Sequence, residues 1–412
     1  MKYVVFLIDG MADYPLAELG NKTPLEAART PNINKMAEGG AVFGTFLSLP
    51  EKYPTSSDVA NMSILGWDIG KYYTGRGAIE SYGMGIPLEP DTVAFRLNLI
   101  TEQNGILTDY SAGHIDNNES EEIINGLEKE FGSPACVFRS GVSYRNLLYL
   151  KGKAYSAEVD YEKPDSSYGK EWKNLLPRPR SQAGELTSKT LVDLIYGTRD
   201  YLKGHPVNIK RAGKGQNTAN MIWPWSGGKK PDMPSFKEMY GLEGGIISAV
   251  DVVLGIGRLA GMEAVRPDGA TGFIDTNYEK KAAAAVDILE KKDFVYVHIE
   301  AADECAHLGD LAGKIKVIED CDSRLIGTFL REFDKRIGGA VRMAVIPDHP
   351  VPISLRMHTR DEVPFIISGP GVSPDGSITR YSERECLRGG YTHLKGREFM
   401  DLLFSDKIDK HS

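Results

Sequence analysis

Phe294-Val295-Tyr296-Val297-His298-Ile299-Glu300-Ala301-Ala302-Asp303-Glu304-Cys305-Ala306-His307 is the stretch on which the fold turns. Phe294 to Ile299 is a short apolar run of strand type, bounded by charge on both sides. Upstream, Glu279 to Lys292 looks helical. Downstream, Ile315 to Phe333 carries apolar residues at 315, 318, 325, 326, 329 and 333, the spacing of a helix, and Val341 to Ile346 is strand-like again. Strand, helix and strand in that order predict a parallel sheet with crossover helices. Tyr3 to Ile8 adds a strand at the amino end. Thr23-Pro24 then supplies an N-cap and an N1 proline for a helix through Ala28, and Pro31 starts a second turn-rich segment.

The middle of the chain has another texture. Val93 to Ile100 and Val142 to Leu150 are strand-like, Glu119 to Phe131 is helical, and a polar stretch follows that holds Pro164, Pro177 and Pro179. This predicts a smaller α+β domain, residues 89–185, inserted into a core of residues 1–88 and 186–412. A chain of 412 residues is too long for one ordinary core, which agrees with that division.

Hydrophobic residues at 41% and charged residues at 26% describe a soluble globular protein. No apolar run reaches the roughly 18 to 20 residues of a membrane span, and Asp9 interrupts the first one. The expectation is no membrane partner. Cys136, Cys305, Cys321 and Cys386 are scattered without a Cys-x-x-Cys spacing, which predicts free thiols in a reducing, cytoplasmic compartment. A net charge of −8 lacks the clustered positive charge that nucleic acid requires. A small anionic substrate remains open, given local cations.

In a parallel sheet, ligands gather beyond the carboxyl ends of the strands. Three strand ends here carry acids or histidines: Asp9 after Ile8, Asp303 and His307 after Ile299, and Asp348-His349 after Ile346, with His358 nine residues further on. Asp303 and His307 share one face if their segment is helical. Carboxylate oxygen with imidazole nitrogen suits zinc, manganese or iron, and the carboxylates admit magnesium. Taken singly, each is an ordinary turn or surface residue; their joint placement is the argument. His298, inside its strand, reads as a structural, hydrogen-bonded residue. In Pro54-Thr55-Ser56-Ser57-Asp58-Val59-Ala60-Asn61-Met62 a serine caps an apolar run, where a hydroxyl faces the positive end of a helix and can carry phosphate. Ser57 is the candidate nucleophile, although position alone does not separate it from Ser56. Two motifs lead away from this chemistry. Gly255-Ile256-Gly257-Arg258-Leu259-Ala260 has the letters of a dinucleotide fingerprint without its acidic partner, and no P-loop occurs.

Asp9-Gly10-Met11, Ser57-Asp58-Val59-Ala60-Asn61, Asp303-x-x-x-His307, Asp348-His349 and His358 together resemble the archaeal-type cofactor-independent phosphoglycerate mutases of the alkaline phosphatase superfamily. The likeness runs nearly end to end and includes Thr74-Gly75-Arg76-Gly77 and Asn220-Met221-Ile222-Trp223-Pro224-Trp225. It implies an alkaline-phosphatase-like α/β fold, a mostly parallel sheet flanked by helices. It also implies two divalent ions (manganese, or magnesium, zinc or cobalt), one held by Asp303, His307 and His358 and the other by Asp9, Ser57, Asp348 and His349. Ser57 would carry the phosphoryl group between neighbouring hydroxyls of phosphoglycerate while the insert closes over the substrate. Cationic clamps suit a phosphate and a carboxylate, and the candidates are Arg145, Lys210, Arg211, Arg76 and Lys229. One departure stands out. Ser111-Ala112-Gly113-His114-Ile115 places His114 where the mutases usually carry an arginine. This segment, with Gly141 to Arg145 and His205 to Asn208, is closer to a branch proposed to act as homoserine kinase. Both activities would use the same metals.

Overall fold

The computed structural model describes residues 1–374 and 378–409, and it divides into two compact units: Met1–Tyr73 with Asp232–Ser412, and Thr74–Pro231. The first unit is an eight-stranded sheet in the order Glu263–Val265, Gly244–Ile247, Phe294–Ile299, Lys2–Ile8, Val341–Ile346, Val363–Ser368, Ala41–Leu47, Tyr391–Lys395. Val363–Ser368 alone runs against the others, so the sheet is mostly parallel as the strand–helix–strand order predicts. Val4, Val5, Phe6, Leu7 and Ile8 are wholly buried. Helices cover both faces of such a sheet, so its central strand is a continuous apolar run instead of an alternating one.

Two registers position the site. Ile8 lies opposite Ile299 and Leu7 opposite Ile346, so the three central strands end almost level and release Asp9, Glu300 and Pro347 side by side.

The helices follow the expectations with instructive differences. Thr23 caps Pro24–Ala27 through a full capping box with Glu26. The run predicted as one helix over 315–333 is a longer path, Leu311–Asp320 and Gly327–Arg336 joined by a π-helical segment, Cys321–Ile326. Asp322 in that segment accepts from the amides of Ile33 at 2.8 Å and Asn32 at 3.1 Å, and so caps Pro31–Glu38, whose own Thr30 makes no capping bond. Gly255 and Gly257 lie inside the Asp251–Leu259 helix, not in a strand-to-helix turn. A Cβ on Gly257 would meet the Ile246 side chain at 2.1 Å, so that glycine serves helix–sheet packing.

In the second unit, Thr92–Gln103 pairs antiparallel with Ile106–Asp109, Arg145–Lys151 and Met221–Gly228, and Arg145–Lys151 with Cys136–Val142. The strand expected over 142–150 is therefore the end of a hairpin, turning at Ser143 with φ 56°. The unit is also wider than the 89–185 predicted. Met221–Gly228 returns to pair with Thr92–Gln103, and in Arg76–Gly83 a Cβ on Gly77 would lie 2.2 Å from the Ala94 carbonyl oxygen. These contacts are long-range, and no composition shift marks them.

Candidate active site

The segment after Ile299 is helical, Ala301–Leu308, so Asp303 and His307 share a face, with His307 Nε2 3.5 Å from Asp303 Oδ2. His358 joins them, its Nε2 3.3 Å from Asp303 Oδ1 and 2.9 Å from His307 Nε2. The outer ring nitrogens fix the meaning of that short distance. His307 Nδ1 lies 2.9 Å from the Arg356 carbonyl and His358 Nδ1 3.1 Å from that of Thr55. A carbonyl only accepts, so each Nδ1 carries a proton and donates it. When both rings are neutral, as metal binding requires, the two Nε2 atoms present lone pairs to each other. Two lone pairs and a carboxylate converging on one point is the donor set of a bound cation, with backbone carbonyls orienting the imidazoles from behind.

The second cluster surrounds His349, whose Nε2 is 3.3 Å from Ser57 Oγ, 3.2 Å from Asp348 Oδ2 and 3.6 Å from Asp9 Oδ1. Asp9 Oδ1 is buried and accepts no hydrogen bond among the described residues. Burial, then the charges of Asp348, Asp303 and Glu300, push Asp9 well above the usual carboxylate range, and burial pushes Asp348 up to about 7. Burial acts on Asp303 in the same direction, but the hydrogen bond and charge of His358, and the charges of His307 and His349, carry it well below its ordinary value. Crowded acids with unsatisfied oxygens are costly unless a cation sits among them. The residues present therefore fit divalent metal. The His349 ring stacks on that of His358 at 3.8 Å between centroids, so the two clusters adjoin.

Ser57 opens the Ser57–Ile64 helix. Of the two serines, Ser57 reaches His349, while Ser56 is buried and its Oγ has no hydrogen-bond partner among the described residues.

Asn61 and Tyr296 had no assigned role in the sequence. Asn61 donates to Asp348 Oδ2 at 3.2 Å and accepts from Tyr296 OH at 2.7 Å. His298, read as structural, is hydrogen-bonded as expected, but its partner is the candidate ligand Asp9, with Nε2 to Oδ2 at 3.1 Å. Burial, and then the Lys281 charge, lower His298 to about 3, so it is neutral; Ser248 lies 3.1 Å from Nδ1, leaving Nε2–H to donate to Asp9. The signal for Asn61 was its place one turn after Ser57.

The five basic candidates and His114, all of the Thr74–Pro231 unit, differ in setting, and Lys229 is half-buried. Arg76 and Arg145 are half-buried, and their charges both act on the buried Arg96. Arg76 donates to Glu80 at 2.7 Å, and Arg96 bonds the same carboxylate. His114 is exposed beside Tyr144, over whose ring Arg145 lies at 5.2 Å. Lys210 is exposed. Arg211 departs from the clamp expected of it: it is 4% exposed, and its guanidinium is held by Glu119, the Ala112 carbonyl at 2.6 Å and the Asn217 carbonyl at 2.7 Å, so it anchors the Ser111–Ile115 loop.

A family profile described as 2,3-bisphosphoglycerate-independent phosphoglycerate mutase matches residues 37–208. An enzyme of that name from Methanosarcina acetivorans is 44% identical over 98% of this chain and 99% of its own. A solved Pyrococcus horikoshii protein superposes with a TM-score of 0.80 at 29% identity, covering 99% of each chain. The cofactor-independent phosphoglycerate mutase of Thermoplasma acidophilum gives 0.63 at 29% identity over 98% of this chain and 99% of that one. Agreement of this kind along the full length means that the chain belongs to the 2,3-bisphosphoglycerate-independent phosphoglycerate mutase family.

Proposed function

We propose that this protein interconverts 3-phosphoglycerate and 2-phosphoglycerate by passing the phosphoryl group through Ser57, as a step of glycolysis and gluconeogenesis in the cytoplasm. The observation that carries the reading is Ser57 Oγ, half-buried at a helix N-terminus and 3.3 Å from the imidazole on which Asp9 and Asp348 also converge. Full-length relatives that bear the mutase name support it.

Two divalent ions, manganese by preference, would be held by Asp303, His307 and His358 and by Asp9, Ser57, Asp348 and His349. Bound there, they supply Lewis acidity that lowers the pKa of the serine hydroxyl and offsets the charge of the phosphoryl oxygens. His349 is close enough to both groups of donors to orient either. The first-turn amides of Ser57–Ile64 lie along the positive end of the helix, so a phosphate on Ser57 is placed where backbone N–H groups and the dipole stabilise it. His298 and Asn61 hold the Asp9 and Asp348 carboxylates in place from behind. Arg76 and Arg145 are the basic residues offered to the substrate's carboxylate and phosphate, with Lys210 and His114 at the surface. Arg211 acts through the loop it anchors.

No helix among the described residues is long and apolar enough to cross a membrane, and the four cysteines are free. The test is an assay of manganese-loaded protein on 3-phosphoglycerate alone, coupled to enolase, beside homoserine with ATP. Nucleotide-free conversion is expected. Silence in that arm with formation of phosphohomoserine would replace the substrate and keep the site.

A further inference from the structure

We infer that Lys314 is a positioning residue that ties together three of the chain segments bearing candidate metal ligands, through a buried ion pair with Asp13. The inference rests on the two-ion reading above. The Lys314 side chain is wholly buried, and its Nζ donates to Asp13 Oδ2 at 2.7 Å, the Val351 carbonyl at 2.9 Å and the Ala12 carbonyl at 3.3 Å. An ammonium has three protons, and all three are engaged.

The partners come from separate places in the chain. Ala12 and Asp13 lie on the loop that leaves the Lys2–Ile8 strand with Asp9, and Val351 is two residues past His349. Lys314 belongs to Leu311–Asp320, which follows the Asp303/His307 helix after only Gly309 and Asp310. One nitrogen therefore ties the Asp9 loop and the Asp348–His349 loop to the helix that follows Asp303 and His307. The same loops are bonded to each other around it. The Val351 amide donates to the Ala12 carbonyl at 3.2 Å and the Ile353 amide to Asp13 Oδ2 at 3.1 Å, while the Asp13 amide donates to Glu383 Oε1 at 3.2 Å.

A buried ion pair is a poor route to stability, because desolvation of two charges offsets most of their attraction and an apolar pair of equal volume often does as well. What the charged pair supplies and the apolar pair lacks is direction. Hydrogen bonds fix where the Ala12 and Val351 carbonyls lie, and with them the angle at which Asp9 and His349 leave their strands.

The test is the paired replacement Asp13→Leu/Lys314→Met, which removes both charges without stranding either. Its reference is Phe333→Ala, a core truncation in the helix Gly327–Arg336 that leads into the amino end of Val341–Ile346. Manganese affinity is measured on the folded proteins by competition with a chromogenic chelator. The paired variant is expected to bind about 10- to 100-fold more weakly, as removal of outer-shell support does elsewhere, and Phe333→Ala within about twofold of the parent. If the paired variant does not fold, Asp13→Asn keeps an oxygen for Lys314 but drops the charge, and is expected to weaken binding about tenfold. A folded variant that binds manganese as well as the parent overturns the inference alone. A parent that takes up no manganese overturns the two-ion reading itself.

Discussion

Gly10→Ala is expected to damage the site without replacing a single candidate ligand. Gly10 follows Asp9 with φ +65°, and a Cβ built there would lie 2.6 Å from Asp303 Cα, 2.9 Å from Asp303 Cβ and 3.0 Å from the Asp303 amide nitrogen. The left-handed conformation costs a non-glycine residue about 1–2 kcal/mol, and inserting a methyl into a packed contact costs typically about 1–3 kcal/mol more. The sum is about 2–5 kcal/mol of stability. Relief requires the Ala301–Leu308 helix to retreat by roughly an ångström, since its closest atoms are backbone, and a displacement of that size costs on the order of 100-fold in turnover. Urea unfolding of the metal-free protein gives the stability, and the enolase-coupled assay with saturating manganese gives the turnover. A Gly10→Ala protein within 0.5 kcal/mol of the parent and with full activity would show that the Asp9 loop and the Asp303 helix are not packed as described.

Ser57→Ala is expected to abolish transfer while leaving manganese bound at Asp303, His307 and His358, checked by coupled assay and metal titration; normal turnover would move the nucleophile elsewhere. Asp348→Asn should weaken metal binding, because a neutral amide is the poorer ligand for a divalent cation. His298→Phe removes the donor to Asp9 and should lower manganese affinity about 10- to 100-fold with kcat affected more than KM, read by titration and steady-state kinetics. In metal-free protein, Asp348 in the fold holds its proton to about 7 and unfolded Asp releases it near 3.8. The folded state binds extra protons in that window at Asp348 and at Asp9, which burial also raises, and the neutral His298 opposes only one of the two, so thermal stability should fall as pH rises from 4 to 7. Saturating manganese should reverse the slope, because ligands must be deprotonated to bind; a metal-free melting temperature that rises over this range contradicts the assignment.

The strand ends and their acids were legible in the sequence because each signal is local. An apolar run of strand length, a carboxylate one residue past it, and an acid and a histidine four apart all lie within a few residues of one another. Tyr3 to Ile8, Phe294 to Ile299 and Val341 to Ile346 therefore emerge as strands, and the helix at Ala301–Leu308 puts Asp303 and His307 on one face. The insert's limits were not local. Met221–Gly228 belongs with Thr92–Gln103 by pairing across more than a hundred residues, so the polar, proline-bearing stretch that suggested a boundary near 185 lies inside the unit.

The amino-acid sequence by itself determined which residue types stand at the carboxyl ends of the central strands, since hydrophobic periodicity dictates strand and helix positions before any packing occurs. Tertiary structure alone decided which of those residues meet. Ser57 rather than Ser56 reaches His349, 292 positions away; His298 turns from a core residue into the support of Asp9, 289 away; Asn61 finds Asp348, 287 away; and Lys314 finds Asp13, 301 away. The physical reason is the register of the sheet. Once Ile8 is level with Ile299 and Leu7 with Ile346, side chains remote in sequence are placed within hydrogen-bonding distance, and burial then favours their pairing with one another.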